Sequence, residues 1–222
     1  MKKYIPTWQA LESIGNNKLV KSSYIWIIII PIVAKLLENI PENLEVPFYK
    51  NIIITLTLPF SWQLLYFSAL SFAISTAIFY IFCPPLISKF PDIQEYKKRG
   101  LEKEQLITFF STWLRKNDST YDAKGKNISK ESFINLFYKK YCDELEENAL
   151  KEFKDNNEPA EKRIQKLNIK DTEFNNAFWF LRNVMVNDSK KLRIIITILY
   201  FMGFSMLLKL LIDNICAVIN IN

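Results

Sequence analysis

The chain contains no histidine, only four glycines and only three cysteines among its 222 residues. Histidine-based catalytic triads and zinc sites of the HExxH type are therefore excluded, and there is no Gly-rich phosphate-binding loop. Cys83, Cys142 and Cys216 lie far apart without CxxC spacing, which predicts free thiols. We expect no enzymatic activity, no metal site and no cofactor.

Long uncharged segments alternate with a densely charged middle region. Half of the residues are hydrophobic, and 29 Lys and Arg against 23 Asp and Glu give a formal charge of +6. In the middle region the two signs are interleaved, which is typical of a solvated domain and does not favour nucleic-acid binding. The composition indicates a membrane protein that carries one soluble domain.

The chain is organised around the segment from Leu64 to Cys83, which has no formally charged residue. This segment is long enough for an α-helix to cross a hydrocarbon core of ~30 Å. Pro84 and Pro85 follow it directly and are expected to end the helix. We therefore predict a membrane span near residues 60–83.

Two further segments predict spans near residues 22–40 and 193–219. The first has a short uncharged core and reaches spanning length if Lys35 directs its ammonium group toward the far interface. A re-entrant or interfacial helix is the alternative for this segment. The third segment begins with a Lys- and Arg-rich stretch, which is expected to anchor it at the inner face of the membrane.

The distribution of charge predicts the topology. Residues 41–59 are slightly acidic, whereas both regions that flank the first two spans are rich in Lys and Arg, so the flanks are expected to face the cytoplasm. We predict an all-α integral membrane protein of the bacterial cytoplasmic (inner) membrane, with three transmembrane helices and a periplasmic or external C-terminus. The expected regions are a cytoplasmic amphipathic N-terminus (1–21), a two-span transmembrane hairpin (22–87), a helical cytoplasmic domain inserted between the second and third spans (88–191) and a C-terminal transmembrane helix (192–222).

Two short segments keep alternative interpretations. Trp8 and Leu11 follow the candidate cap Thr7 at helical spacing, which predicts a short amphipathic helix, either on the membrane surface or packed on the soluble domain. Residues 51–58 are rich in β-branched side chains. They are compatible with an outer strand, a re-entrant piece or an N-terminal extension of the next helix.

Apolar periodicity predicts three main helices in the soluble domain, with candidate caps at Ser129 and Asp171. A fourth, short helix is expected over residues 159–167, with Pro159 at its start. The apolar positions are Leu106, Phe109, Phe110 and Trp113 in the first helix, Phe133, Leu136, Phe137, Tyr141 and Leu145 in the second, and Phe174, Ala177, Phe178, Leu181 and Met185 in the third.

The central span has two faces of small residues. One is formed by Ala69, Ala73 and Ala77, which are spaced four residues apart and predict close packing in a homo-oligomer. The other is formed by Ser68, Ser71 and Ser75. These serines either line an aqueous path in an oligomer or bond to the carbonyl groups of their own helix.

The third span adds Gly203 as a close-packing point and two ionisable residues, Lys209 and Asp213. These two residues are one helical turn apart on a shared face. They either form a pair within the helix or pair between subunits, with Lys209 of one copy meeting Asp213 or Glu38 of a neighbour.

Two functions agree with these features. The first is an oligomeric inner-membrane effector or pore that is controlled through the cytoplasmic domain. The second is a membrane anchor or sensor subunit that recruits a soluble cytoplasmic partner protein.

The overall plan resembles the small multi-pass membrane subunits of bacterial anti-phage defence systems. The resemblance rests on the close spans carrying LVKSSYIW and LLYFSAL, the break FCPP, the Lys-rich helical insert and the final span. Such subunits act as depolarising effectors or as scaffolds for a cytosolic protein, so the resemblance implies the same two alternatives and assigns no functional residue.

Overall fold

The computed structural model describes residues 5–37, 43–45, 53–55, 61–116, 120–121, 127–147, 150, 153 and 158–220. This part of the chain is predominantly helical and belongs to two compact units. The apolar unit comprises residues 1–6, 10–82 and 191–222, and the polar unit comprises residues 7–9 and 83–190.

The helices are, in chain order, α1 (Trp8–Gly15), α2 (Lys18–Leu37), α3 (Trp62–Phe82), α4 (Pro85–Ser88), α5 (Ile93–Lys98), α6 (Lys103–Lys116), α7 (Lys130–Tyr141), α8 (Ala160–Gln165), α9 (Phe174–Met185) and α10 (Lys190–Asn220). The strands are β1 (Asn43–Glu45), β2 (Ile53–Thr55), β3 (Thr120–Tyr121) and β4 (Asn127–Ile128).

The three long helices α2, α3 and α10 are long and apolar enough to cross a membrane. This confirms the prediction of three apolar helices. The structure extends the first one toward the N-terminus, because α2 begins at Lys18 and continues through Pro31. Helix α3 ends at Phe82, two residues before the proline pair begins.

The connector between α2 and α3 contains two short strands. Strand β1 pairs with β2 in antiparallel register, with Leu44 opposite Ile54. Of the three interpretations of residues 51–58, the strand therefore applies to Ile53–Thr55. The rest of that segment lies outside the described residues.

The N-terminal helix forms as the periodicity predicts. Trp8 and Leu11 are both fully buried, so the apolar face of α1 packs against protein. The backbone N–H of Trp8 donates to the carbonyl oxygen of Val186 at 3.2 Å, within the polar unit. Trp8, at the start of α1, therefore bonds within the polar unit. The two interpretations of this helix, on the membrane surface or packed on the soluble domain, stay predictions.

The predicted helices of the charged region are all present, as α6, α7, α8 and α9. Ser129 is confirmed as the N-cap of α7, because its hydroxyl accepts a hydrogen bond from the N–H of Ser132 at 3.1 Å. The cap predicted at Asp171 is wrong. This residue begins a short 3-10 turn that precedes α9, and its carboxylate instead accepts a hydrogen bond from Lys103.

Two of the apolar positions predicted for the second helix, Leu136 and Leu145, do not lie on its buried face. Leu136 is 41% exposed, because the buried face of α7 turns toward Ile134 instead. Leu145 lies beyond the end of α7, and its N–H donates to the hydroxyl of Tyr138 at 3.1 Å. A helix with apolar residues at adjacent positions has two possible apolar faces. The packing of neighbouring helices decides which face is buried.

Aromatic rings form the core of the polar unit. Phe110 of α6 lies 4.8 Å from Phe137 of α7, and Tyr141 of α7 lies 5.2 Å from Phe180 of α9, as centroid distances. Such ring contacts add stability beyond that from buried area alone. They hold α6, α7 and α9 together, and this arrangement positions the surface described below.

Candidate functional site

A chain of hydroxyl groups connects the three long helices of the apolar unit. The hydroxyl of Tyr24 on α2 lies 2.7 Å from that of Thr76 on α3, which lies 3.1 Å from that of Tyr200 on α10. Tyr200 is only 3% exposed. A buried hydroxyl group needs a hydrogen-bond partner, and this series of hydrogen bonds connects the three helices.

The sequence analysis did not single out these three hydroxyl groups, although the residue types indicated hydrogen bonding. Tyr24 and Tyr200 are tyrosines inside long apolar segments, and a buried tyrosine usually finds a hydrogen-bond partner for its hydroxyl. Thr76 is the polar residue on α3 that both tyrosines reach. Helical periodicity places each residue on a face of its own helix but does not say which faces meet.

The serine face of α3 packs against α10. Ser68 donates to the carbonyl oxygen of Gly203 at 2.9 Å, and Ser71 donates to that of Leu199 at 2.8 Å. Ser75 instead donates to the carbonyl oxygen of Ser71 in its own helix, at 2.7 Å. All three serines are buried within the chain. As Ser68 and Ser71 advance along α3, their acceptors move back along α10, so these two helices are antiparallel.

Gly203 allows this close approach. A Cβ atom placed on Gly203 would lie 2.6 Å from the ring of Phe72, which is fully buried. The residue predicted to pack between subunits therefore lies against α3 of its own chain. A role of Gly203 between copies stays a prediction.

The predicted alanine face has graded exposure. Ala69 is buried, Ala73 is half-buried and Ala77 is exposed. Only the Phe82 end of this face is therefore open to another helix. Its role in oligomer packing stays a prediction.

The three ionisable residues that the sequence places inside the spans lie on the surface of the apolar unit. Lys35 is exposed in the last turn of α2, and Lys209 and Asp213 are exposed on α10. Within the part of the chain that the structure describes, no ion pair joins Lys209 to Asp213. Glu38, the other proposed partner of Lys209, lies outside the described residues. The structure thus brings the serines together with α10 but leaves the charged residues apart.

The polar unit contains a buried arginine that the sequence did not indicate. Arg163 of α8 is 3% exposed, donates to the carbonyl oxygen of Phe153 at 3.1 Å and forms an ion pair with Glu131 of α7. A buried guanidinium group must be both neutralised and hydrogen-bonded. These contacts connect α7 with α8.

An exposed surface lies where α7 and α9 meet, and we call it the docking face. Trp179 is 40% exposed, and Leu136 is exposed beside two lysines of the last turn of α7. The rings of Phe180 and Tyr141 lie between the two helices. The residues of this face are Ser132, Asn135, Leu136, Lys139, Lys140 and Tyr141 of α7, Glu173 just before α9, and Asn176, Trp179, Phe180 and Asn183 of α9. It combines apolar anchors with two lysines and one glutamate, so its net charge is positive.

Two further ionisable groups, Cys142 and Tyr96, are buried in the polar unit. Burial raises the pKa of the Cys142 thiol to about 12, which is the opposite of the shift that activates a nucleophile. Burial also raises the pKa of the Tyr96 hydroxyl. Among the described residues, no group of Cys, Asp and Glu side chains is arranged to hold a metal ion.

In comparisons with known proteins, no family model, curated protein or solved structure matches this chain.

Proposed function

We propose that this protein is a membrane anchor that holds its polar unit at the cytoplasmic face of a bacterial inner membrane, where it recruits a soluble partner protein. One observation carries this proposal. The hydroxyl groups of Ser68 and Ser71 are directed into the backbone of α10. A fixed anchor uses polar groups in this way, whereas a permeation path requires polar groups that face water.

The positive-inside rule supports the orientation. Lys18 and Lys21 lie at the start of α2, and Lys190 and Lys191 lie at the start of α10. Positive charge beside the ends of spans marks the cytoplasmic side. Both helix starts are then cytoplasmic.

The docking face supplies the binding surface for the partner. Trp179 and Leu136 provide exposed apolar area, and Trp is enriched at the energetically dominant positions of interfaces. Lys139 and Lys140 are exposed and make the rim of the face positive. A partner helix with apolar anchors flanked by Asp and Glu residues would match both features.

The test uses the full-length protein, co-expressed with its genomic neighbours and solubilised in detergent. Trp179→Ala and Lys139→Glu should each lower the amount of co-purifying soluble protein by about tenfold, which corresponds to a loss of ~1.4 kcal/mol. Lys98→Glu is the matched control, because Lys98 is an exposed lysine in the last turn of α5 and is not among the residues of the docking face. The proposal fails if no soluble protein co-purifies or if the control weakens binding equally.

The second candidate is an oligomeric effector or pore, which is favoured by the exposure of Lys209 and Asp213 on an apolar helix. Charged side chains in a span usually face an aqueous cavity or a partner. Replacing both residues with alanine should abolish ion leak from proteoliposomes while the assembly stays intact, if the pore interpretation is right. Unchanged leak in this variant, or no leak from the native protein, would argue against a pore.

The resemblance to subunits of anti-phage defence systems is compatible with either candidate. Its test is survival of phage-infected cells that carry or lack the gene with its neighbours. Loss of protection by the Trp179→Ala variant would connect defence to the recruitment of a partner.

A further inference from the structure

One side of α10 carries a continuous exposed stripe with both polar and apolar residues. We call it the α10 stripe, and its members are Ile198, Met202, Ser205, Lys209, Asp213 and Cys216, all exposed. At 3.6 residues per turn, these positions fall within about 80° of the helix circumference. All six side chains therefore lie on the same side of the helix.

The α10 stripe lies opposite the side of α10 that packs within the chain. Ile196, Tyr200 and Gly203 are buried, and they belong to the side that faces α3. Helical geometry places these residues about 100–180° round the helix from Lys209. The bundle of the same chain therefore leaves the stripe uncovered.

The order of the two charges disfavours a pair within the helix. In an α-helix the acidic residue is better placed four positions before the basic one, and here Lys209 precedes Asp213. Among the described residues, no ion pair satisfies either of them. In a membrane, a charged group without a partner costs up to ~2.5–3.5 kcal/mol at the centre and less toward the interface.

We infer that the α10 stripe is covered by the same stripe of a second copy of this chain. Two copies inserted with the same topology are related by a two-fold axis along the membrane normal, so the same surface meets itself. Lys209 of each copy then faces Asp213 of the other, and symmetry makes two reciprocal ion pairs. The stripe carries both charges in equal number, which makes an identical helix its complementary partner.

The geometry of such a pair is feasible. Packed helix axes lie about 8–10 Å apart, and the positions of Lys209 and Asp213 differ in height by about 6 Å, which a lysine side chain can span. Ser205 provides a small residue one turn before Lys209, where the helices can approach closely. Cys216 follows on the same stripe, so the two copies of this thiol would face each other.

This inference depends on α10 crossing a membrane and not on the partner of the docking face. The test uses full-length protein in membrane vesicles, treated with a copper–phenanthroline oxidant and analysed on a non-reducing gel. Cys83 and Cys142 are buried, whereas Cys216 is exposed, so Cys216 is the thiol expected to cross-link. We expect a dimer band that disappears in Cys216→Ser.

The matched control moves the cysteine to the other side of the helix. Leu211 is 54% exposed and lies about 140° round the helix from Cys216. In the variant Cys216→Ser with Leu211→Cys, the dimer yield should fall at least about fivefold. Equal yields at both positions would mean random collision in the membrane and would overturn the inference.

Charge substitutions test the ion pairs directly. Lys209→Asp places four carboxylates in the interface, so cross-linking through Cys216 should fall about tenfold at equal membrane content. The combined variant Lys209→Asp with Asp213→Lys restores two reciprocal pairs and should recover the dimer. Unchanged cross-linking in Lys209→Asp, or a cross-linked band containing a different protein, would show that the stripe faces lipid or another subunit instead.

Discussion

Replacing Gly203 with alanine should destabilise the apolar unit, although the same change usually stabilises a helix. The new Cβ atom would lie 2.6 Å from one carbon of the Phe72 ring and 2.9 Å from two others. Real Cβ atoms do not approach other atoms so closely, so either the ring or α10 must move. The fully buried ring has little freedom, because Phe204 lies 4.9 Å from it as a centroid distance.

The magnitude follows from two opposing effects. Overpacking a well-packed core costs about 1–3 kcal/mol. Alanine gains about 0.5–1 kcal/mol over glycine in a helix interior. A shift of α10 would also lengthen the hydrogen bond from Ser68 to the carbonyl oxygen of Gly203, and such bonds contribute about 0.6 kcal/mol in membranes. We expect a net loss of about 1–2 kcal/mol in the free energy of unfolding.

The assay is unfolding of the purified protein in mild-detergent micelles by titration with a denaturing detergent, followed by far-ultraviolet circular dichroism. Leu211→Met is the control, because it keeps an apolar side chain of similar size at an exposed position outside the α10 stripe, and it should change stability by less than about 0.5 kcal/mol. Gly203→Val should be more destabilising than Gly203→Ala, since its side chain is larger.

A second-site variant makes the prediction specific to the ring. Phe72→Leu removes the atoms that the new Cβ would meet, although it lowers stability by itself. Gly203→Ala should therefore cost less in the Phe72→Leu background, by about 1 kcal/mol, which is a typical coupling between contacting residues. If Gly203→Ala costs the same in both backgrounds, Phe72 does not pack on Gly203 and this account of the α3–α10 contact is wrong.

Three further outcomes are expected. Thr76→Val keeps the shape of the side chain but leaves two tyrosine hydroxyls without their shared partner, so the same unfolding assay should show a loss of about 1–2 kcal/mol. Ser22→Ala should show little change, because the exposed hydroxyl of Ser22 bonds to the carbonyl oxygen of Leu19 in its own helix. Glu131→Gln removes the charge that faces Arg163 and should lower the thermal unfolding midpoint more than Glu144→Gln does; equal midpoints would mean that the ion pair contributes no stability. The raised pKa of Cys142 means that the native state holds its proton while the unfolded thiol loses it, so stability is complete below about pH 9 and is lost as pH rises toward about 12. Cys142→Ala should show a smaller alkaline loss than the native protein, and identical pH profiles would contradict this assignment.

The long helices could be predicted from sequence because their signal is local. A run of uncharged residues ending at Pro84 needs only composition and length to identify α3. The ends were less accurate. Helix α2 begins at Lys18, four residues before the apolar segment, because backbone hydrogen bonding continues through charged residues that hydropathy assigns to a flank.

In the shorter helices, the cap could also be predicted from local sequence, whereas the buried face could not. Ser129 was predicted as a cap because its hydroxyl acts within three residues of its own position. Leu136 was misplaced because its burial depends on which helices pack against α7. The exposed Leu136 then contributes to the docking face, which the sequence did not indicate because its residues come from two helices far apart in the chain.

The serines of α3 show most clearly where sequence reasoning stops. The two alternatives offered for them were an aqueous path in an oligomer and the carbonyl groups of their own helix, and Ser75 does bond to its own helix. Ser68 and Ser71 instead reach the backbone of α10, which is possible because Gly203 has no side chain between the two helices. Where water is excluded, a hydroxyl group bonds to the nearest acceptor. The acceptor of each serine therefore depends on how closely a second helix approaches. Gly203 was recognised as a close-packing point, but only the paired geometry shows that α3 of the same chain uses it.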